Sequence, residues 1–189
     1  MRKIIGTLSL ILGVLCLVSS VWLTLYNQEE DNSATIAVET LLPSVQERID
    51  KGKTFGNAEI STLEMDGNAY IGILKIPKLN LELPVFAEWS KAKLKKAPCH
   101  YYGACSSDNL VIAGHNYKAH FGKLSKLQEG DAVFFTDVQG KVHSYEVALL
   151  ETLPPAATRE MIESGYALSL YTCTYGGENR VTVRCKETI

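Results

Sequence analysis

Residues 4–26 (IIGTLSLILGVLCLVSSVWLTLY) form an uninterrupted run of 23 without a charged side chain, and no other feature restricts this chain so severely. As a helix the run measures about 34 Å, enough to cross a hydrocarbon core of roughly 30 Å with some tilt. Arg2 and Lys3 precede it, whereas Glu29, Glu30 and Asp31 follow it. The charge bias keeps residues 1–3 in the cytoplasm and places everything after the run outside. Trp22 and Tyr26 fall near the outer end, where amphipathic rings suit the headgroup layer. A cleaved signal peptide has an apolar region of only about 7–15 residues and a small-residue cleavage site, which this run does not provide. A buried helix of a soluble core would show a polar boundary face, and none is present. The chain therefore reads as a single-pass plasma-membrane protein with an extracellular domain.

The remainder is close to neutral in composition. Net charge is −2 and the isoelectric point about 6.1, so no basic surface marks a nucleic acid as partner. Of the five cysteines, Cys16 lies in the anchor, and Cys99, Cys105, Cys173 and Cys185 lie in the exported part, where disulfides are permitted. Cys99 and Cys105 are near enough in sequence to close a small loop, and two free, partly buried thiols are the alternative. Cys185 reads as a small core residue.

Polar, acidic residues 27–35 read as a juxtamembrane linker. Ile36, Val38, Leu41, Leu42 and Val45 give a weak helical period interrupted by Pro43, so 27–68 is expected to be a stalk with one helix. From 69 to 189 the texture changes to short β-like runs. Residues 70–76 and 81–86 flank the turn PKLN, and 110–113 ends in Gly-His. Strands at 132–136 and 142–150 surround Asp-Val-Gln-Gly, and strands at 167–173 and 180–186 surround Thr-Tyr-Gly-Gly-Glu-Asn. Phe121, Leu124 and Leu127 predict one short helix and residues 157–164 another. Seven or eight short strands with two short helices predict a mainly β fold, a closed or nearly closed barrel.

The last hairpin carries the chemistry. Symmetric closure of the loop 174–179 makes Cys173 and Arg180 cross-strand neighbours, with Cβ atoms about 5 Å apart. Period-2 alternation then groups Ser169, Tyr171 and Cys173 with Arg180, Thr182 and Arg184, leaving Leu168, Leu170, Val181, Val183 and Cys185 on an apolar face. A one-residue slip would mix the faces. A guanidinium beside a thiol favours the nucleophilic thiolate and offers donors to an oxyanion. Acyl transfer further needs a group to protonate the leaving amine, a role that suits histidine. Four histidines compete. His115 follows a hydrophobic strand, where side chains are presented to a site. His143 lies within a strand and reads as a surface or cross-strand residue. His120 reads as a solvated neighbour of a helix start, and His100 belongs to the Cys-His-Tyr-Tyr segment. Arg184 lies four residues beyond Arg180, about 13 Å along the strand, and is assigned a solvated or ion-paired position.

These residues resemble the sortase family. Leu-Val-Ile-Ala-Gly-His-Asn (110–116) resembles the sortase segment bearing the catalytic histidine. Leu-Ser-Leu-Tyr-Thr-Cys (168–173) resembles the Thr-Leu-X-Thr-Cys signature, and Asn-Arg-Val-Thr-Val-Arg (179–184) the strand with the catalytic arginine. Tyr-Ile-Gly-Ile-Leu-Lys-Ile-Pro and Phe-Gly-Lys-Leu-Ser-Lys-Leu-Gln-Glu-Gly-Asp are similar to sortase segments too, so the likeness covers 70–186 in order. It implies an eight-stranded sortase-type barrel with Cys173 as nucleophile, His115 as acid/base and Arg180 as oxyanion stabiliser. It further implies that Tyr171 and Thr172 line the substrate groove. The donor would be a secreted protein with a C-terminal Leu-Pro-X-Thr-Gly sorting signal, cut between Thr and Gly through a thioacyl enzyme. The acceptor would be an amine such as a cell-wall precursor. No Asp-Pro-aromatic lid motif occurs in 52–69, which argues against the lidded pilin-polymerase class. Asp108 and Glu163, far apart in sequence, make a weak calcium site, so no metal and no cofactor are expected.

Three other readings fit less of the sequence. A Ser-His-Gly-Cys type of cell-wall transpeptidase needs His and Cys two residues apart. A zinc module built on Cys99, His100 and Cys105 has no standard spacing. A non-catalytic membrane-anchored β-barrel binding module leaves the Cys/Arg pairing unexplained.

Overall fold

A computed structural model of the chain describes residues 2–51 and 60–188, with side chains from residue 9 onward. It contains a long helix α1 (Arg2–Asp50) and nine strands: β1 (Leu63–Met65), β2 (Asn68–Ile76), β3 (Leu81–Phe86), β4 (Cys99–Tyr102), β5 (Leu110–Ala113), β6 (Ala132–Asp137), β7 (Val142–Leu153), β8 (Leu168–Cys173) and β9 (Arg180–Glu187). Two short helices, α2 (Lys91–Leu94) and α3 (Thr158–Ile162), lie in the connections.

The strand order is β1-β2-β3-β4-β5-β8-β9-β7-β6, and β2 also pairs with β6. That last pairing closes eight strands, β2 to β9, into a mixed barrel, with β1 appended to β2 as a hairpin arm. Closure draws β2 hard against β6. A Cβ on Gly72 would lie 2.2 Å from the Thr136 carbonyl oxygen, so only glycine permits the approach. Leu74, Ile76, Leu83, Val85, Ile112, Phe135, Leu168, Leu170, Val183 and Cys185 fill the interior.

The hairpins expected from sequence form around their turns. Pro77–Leu79 is a single 3₁₀ turn that ends at left-handed Asn80 (φ 53°), and this reverses the chain between β2 and β3. The apolar spacing at Phe121, Leu124 and Leu127 is served by a 3₁₀ segment, Leu124–Lys126, rather than an α-helix. A repeat of three matches the 3₁₀ period, in which residues i and i+3 eclipse.

The region before the barrel departs from its expected form. Residues 27–35 are helical rather than a linker, and α1 continues through Pro43. Its lower half is docked: Ala34, Val38, Val45 and Ile49 are buried at four- and seven-residue spacings, with Leu41 and Leu42 partly buried between them. Val45 and Ile49 join Leu63, Met65, Tyr70, Ile73, Phe86 and Val138 in a second apolar cluster outside the barrel. This packing offsets the hydrogen bond that Pro43 removes. The upper half, from Ser9 to Glu29, is exposed throughout and is long and apolar enough to cross a membrane. The part of the stalk at 52–59 lies outside the described residues.

Candidate active site

Two paired strands, and the loop that follows a third, carry the candidate residues. In the β8–β9 ladder, Cys173 is directly opposite Arg180, Tyr171 opposite Thr182, and Ser169 opposite Arg184. Cys173 and Arg180 are both half-buried, at the end of the hairpin next to its turn. The Arg180 guanidinium is steadied by its own loop, with Nη1 donating to the carbonyls of Gly177 (3.0 Å) and Asn179 (3.1 Å). Among the described residues no hydrogen bond engages its Nε or Nη2, which leaves donors free for an anion beside Cys173.

On the other side β5 runs parallel to β8, with Ala113 level with Tyr171. The Gly114 amide extends this ladder by donating to the Tyr171 carbonyl at 3.0 Å. β5 ends at Ala113, and His115 is the second residue of the loop that follows it. Cys173 thus has Arg180 opposite it on β9, while on the other side of β8 the chain leaves β5 into the loop that carries His115. Gly114 is needed here because the Phe121 ring packs onto it; a Cβ would lie 2.4 Å from that ring. The Phe121 amide returns a hydrogen bond to the His115 carbonyl at 3.0 Å, closing the loop that carries the imidazole.

The His115 ring is half-buried and stacks on Tyr117, with centroids 4.3 Å apart and planes 7° from parallel. Burial holds its pKa below the usual histidine value. The Asn116 side chain and the Glu30 carboxylate oppose that effect, and Lys95 adds to it. His115 is accordingly neutral for most of its time near pH 7.

Two cavities flank the site. One of about 580 Å³ is lined by Thr172, Cys173, Thr174 and Tyr175, by the loop 116–122, and by Asn27 and Asp31 of α1. Thr172 is buried, and its hydroxyl has no hydrogen-bond partner among the described residues. The second, of about 270 Å³, lies against Arg180 between Trp89, Tyr101, Tyr171 and the Pro154–Met161 segment. Tyr101 and Tyr171 meet edge to face at 5.3 Å there. Tyr171 and Thr172 therefore face different cavities, as alternation along a strand requires.

The remaining sequence candidates are structural. Arg184 is not solvated; it is buried and ion-paired with Glu151 at 2.7 Å. It also donates to the Ser169 hydroxyl and to the carbonyls of Glu160 and Met161, clamping α3 onto the sheet. His120 is not solvated either. It is fully buried, one ring nitrogen meets the Lys96 carbonyl at 3.2 Å, and burial pulls its pKa down to about 4. His143 is a buried cross-strand residue facing the Asp137 carboxylate at 3.1 Å. His100 bonds the Gly103 carbonyl at 2.7 Å. Cys99 and Cys105 are free thiols, both with pKa values raised by burial, and burial pushes the Cys185 thiol up to about 12.

Sequence reasoning missed Glu30, Asp31, Lys95 and Tyr117. Glu30 accepts hydrogen bonds from the Lys95 ammonium (2.8 Å) and the Tyr117 hydroxyl, and Asp31 accepts from the Lys118 amide at 2.9 Å. The acidic cluster at 29–31 was visible, but only the fold brings it to residues 65 and 87 positions away.

Comparison with known proteins places the chain. The family profile described as a sortase domain matches residues 74–188. Sortase A of Bacillus anthracis is 25% identical over 128 residues, covering 65% of this chain and 60% of that protein, so the match spans less than two thirds of the relative. Sortase C1 of Streptococcus agalactiae superposes with a TM-score of 0.59 at 25% identity, covering 76% of each chain. A lid mutant of sortase A from Corynebacterium diphtheriae gives 0.56 at 20% identity, covering 80% of this chain and 93% of that one. Similar chains include both sortase A and sortase C, so the likeness fixes the family and not the class within it. The barrel, the order of its motifs and the profile match agree: this chain belongs to the sortase family.

Proposed function

We propose that the protein is a membrane-anchored cysteine transpeptidase that cuts a sorting signal of the Leu-Pro-X-Thr-Gly kind and joins the severed protein to an amine. The observation that carries this reading is Cys173 directly opposite Arg180 on β8 and β9, at the edge of a cleft, with the loop that bears His115 leaving the neighbouring β5.

The Cys173 thiolate attacks the Thr carbonyl, forming a C–S bond and an oxyanion beside the Arg180 guanidinium. Collapse of the intermediate breaks the Thr–Gly bond, and the His115 imidazolium gives its proton to the departing amine. An acceptor amine then attacks the thioester, His115 takes its proton, and the thiolate leaves. Because burial lowers the His115 pKa, only a minority of molecules carry imidazolium near neutral pH. The aromatic cavity beside Arg180 offers apolar walls for the Leu-Pro end of the donor, with Tyr171 as one wall. Thr172 lines the cleft on the other side of Cys173. The exposed apolar half of α1 anchors the enzyme in the plasma membrane, and the positive N-terminus holds the barrel on the extracellular face. Secreted proteins bearing the signal are donors, and a cell-wall precursor is a suitable acceptor.

The test uses the full chain in detergent micelles with a panel of Leu-Pro-X-Thr-Gly peptides and a glycine-based amine. Amine-exchanged product cut between Thr and Gly, absent with Cys173→Ala, is the expected result. Failure of the folded protein to process any peptide of the panel would overturn the reading.

A further inference from the structure

The Tyr117 ring lies flat on the His115 imidazole, while its hydroxyl reaches past the barrel to the Glu30 carboxylate on α1. Glu30 is held in turn by Lys95, at 2.8 Å, and the Tyr26 hydroxyl one turn earlier on α1 lies 3.3 Å from the same carboxylate. Hydrogen bonds from Lys95 and Tyr117 keep the Glu30 carboxyl below its usual pKa, so it is ionised in the working range. One residue on, Asp31 accepts from the Lys118 amide, so α1 grips the histidine loop at consecutive positions. Among the described residues the imidazole has no carboxylate hydrogen-bonded to it; the Asn116 side chain and the stacked phenol hold it instead.

From this geometry we infer that Glu30, Tyr117 and Lys95 are positioning residues for the catalytic histidine, so that the juxtamembrane turn of the anchor helix is part of the active centre. The inference rests on His115 acting as the acid/base.

The physical case has two parts. A ring stacked on an imidazole restricts rotation about χ2, and a phenol tethered at its hydroxyl cannot slide along the stack. Proton transfer from a misplaced imidazole is slow even when the barrel is intact. The second part is electrostatic. The titratable and charged groups around His115 are Glu30 and Asp31 on α1, Lys95 before β4, and Tyr117, Lys118 and His120 on its own loop. Glu30 favours the imidazolium and Lys95 disfavours it, so the two have opposite effects on the fraction of active enzyme.

The experiment measures transpeptidation by the full chain in detergent micelles as a function of pH, for wild type, Tyr117→Phe, Tyr117→Leu, Glu30→Gln, Lys95→Met and His115→Ala. Thermal unfolding of each variant checks that it is folded. Tyr117→Phe keeps the ring and loses the tether; kcat is expected to fall about tenfold, with the donor KM changed by less than about twofold. Tyr117→Leu, which removes the stack, falls further. The lower limb of the pH profile moves to lower pH in Glu30→Gln and to higher pH in Lys95→Met, a pair of opposite shifts that loss of packing alone would not give. Wild-type kcat in Tyr117→Phe, or limbs that stay in place in both charge variants, would overturn the inference. Full activity in His115→Ala would instead remove the acid/base reading beneath it.

Discussion

The β8–β9 hairpin and the contact between α1 and the histidine loop both shape the candidate site, yet they are encoded in opposite ways. In the hairpin, fourteen positions from Leu168 to Val181 contain everything needed to set Cys173 opposite Arg180. A glycine-centred turn fixes the register, and alternation puts the apolar residues inside. In the α1 contact, Glu30 meets Lys95 and Tyr117 across separations of 65 and 87 residues. No local pattern announces that pairing. It exists because the stripe Ala34, Val38, Val45 and Ile49 lays the helix along the barrel and delivers Glu30 to the loop. Local register can be read from parity; docking depends on how two finished surfaces fit.

The largest effects should fall on the hairpin. Cys173→Ala is expected to reduce transpeptidation to background in a peptide assay while leaving the melting temperature nearly unchanged, since the thiol is half-buried at the end of β8. Arg180→Ala should lower kcat about 10²- to 10³-fold, the range for loss of an oxyanion donor. Arg180→Lys should restore little of it, because an ammonium lacks the forked donors.

Arg184, on the same strand and face, sharpens the contrast by failing differently. Arg184→Met leaves Glu151 and the carbonyls of Glu160 and Met161 without their partner. We expect a stability loss of about 3 kcal/mol in denaturant unfolding, with kcat of the remaining folded enzyme little changed.

His120 supplies a pH effect of similar size. Its pKa falls from 6.5 to about 4 on folding, so between those values the unfolded chain binds a proton that the folded chain refuses. Its contribution is intact above pH 6.5 and is lost as pH falls toward 4, on the order of 3 kcal/mol in all. His120→Leu should flatten that part of the stability curve. The substitution also removes the ring's contact with the Lys96 carbonyl, a loss that is the same at every pH and so leaves the shape of the curve as the readout.

The smallest effect tests the other side of the comparison. Val45→Ala, in the buried stripe of α1, should cost about 1 kcal/mol and speed hydrogen exchange along 30–49. A freely hanging stalk would show neither change.

These examples mark where sequence reading succeeds. Strands flanked by Pro-Lys-Leu-Asn, by Asp-Val-Gln-Gly and by the glycine loop were legible because each turn and its alternation are local. The pairing of Cys173 with Arg180 was legible too, through ladder parity. β4 was not, being four residues long and joined to β3 by a single parallel pair, Phe86 with Cys99. The burial of His120 and Arg184 was equally hidden, because polar residues enter a core only when the fold supplies partners, here the Lys96 carbonyl and Glu151. Continuity of α1 through Pro43 likewise depends on the surface it rests on, which no helical propensity reports.

The most direct test is to trap the covalent intermediate. The full chain is mixed with a sorting-signal peptide without added amine, quenched in acid, digested and mapped by mass spectrometry over all five cysteines. The account predicts a thioester-linked peptide ending in Thr on Cys173 alone, lost in Cys173→Ala and diminished in Arg180→Ala. Acylation of Cys99, Cys105 or Cys185 in place of Cys173, or cleavage of the peptide that persists in Cys173→Ala, would contradict it.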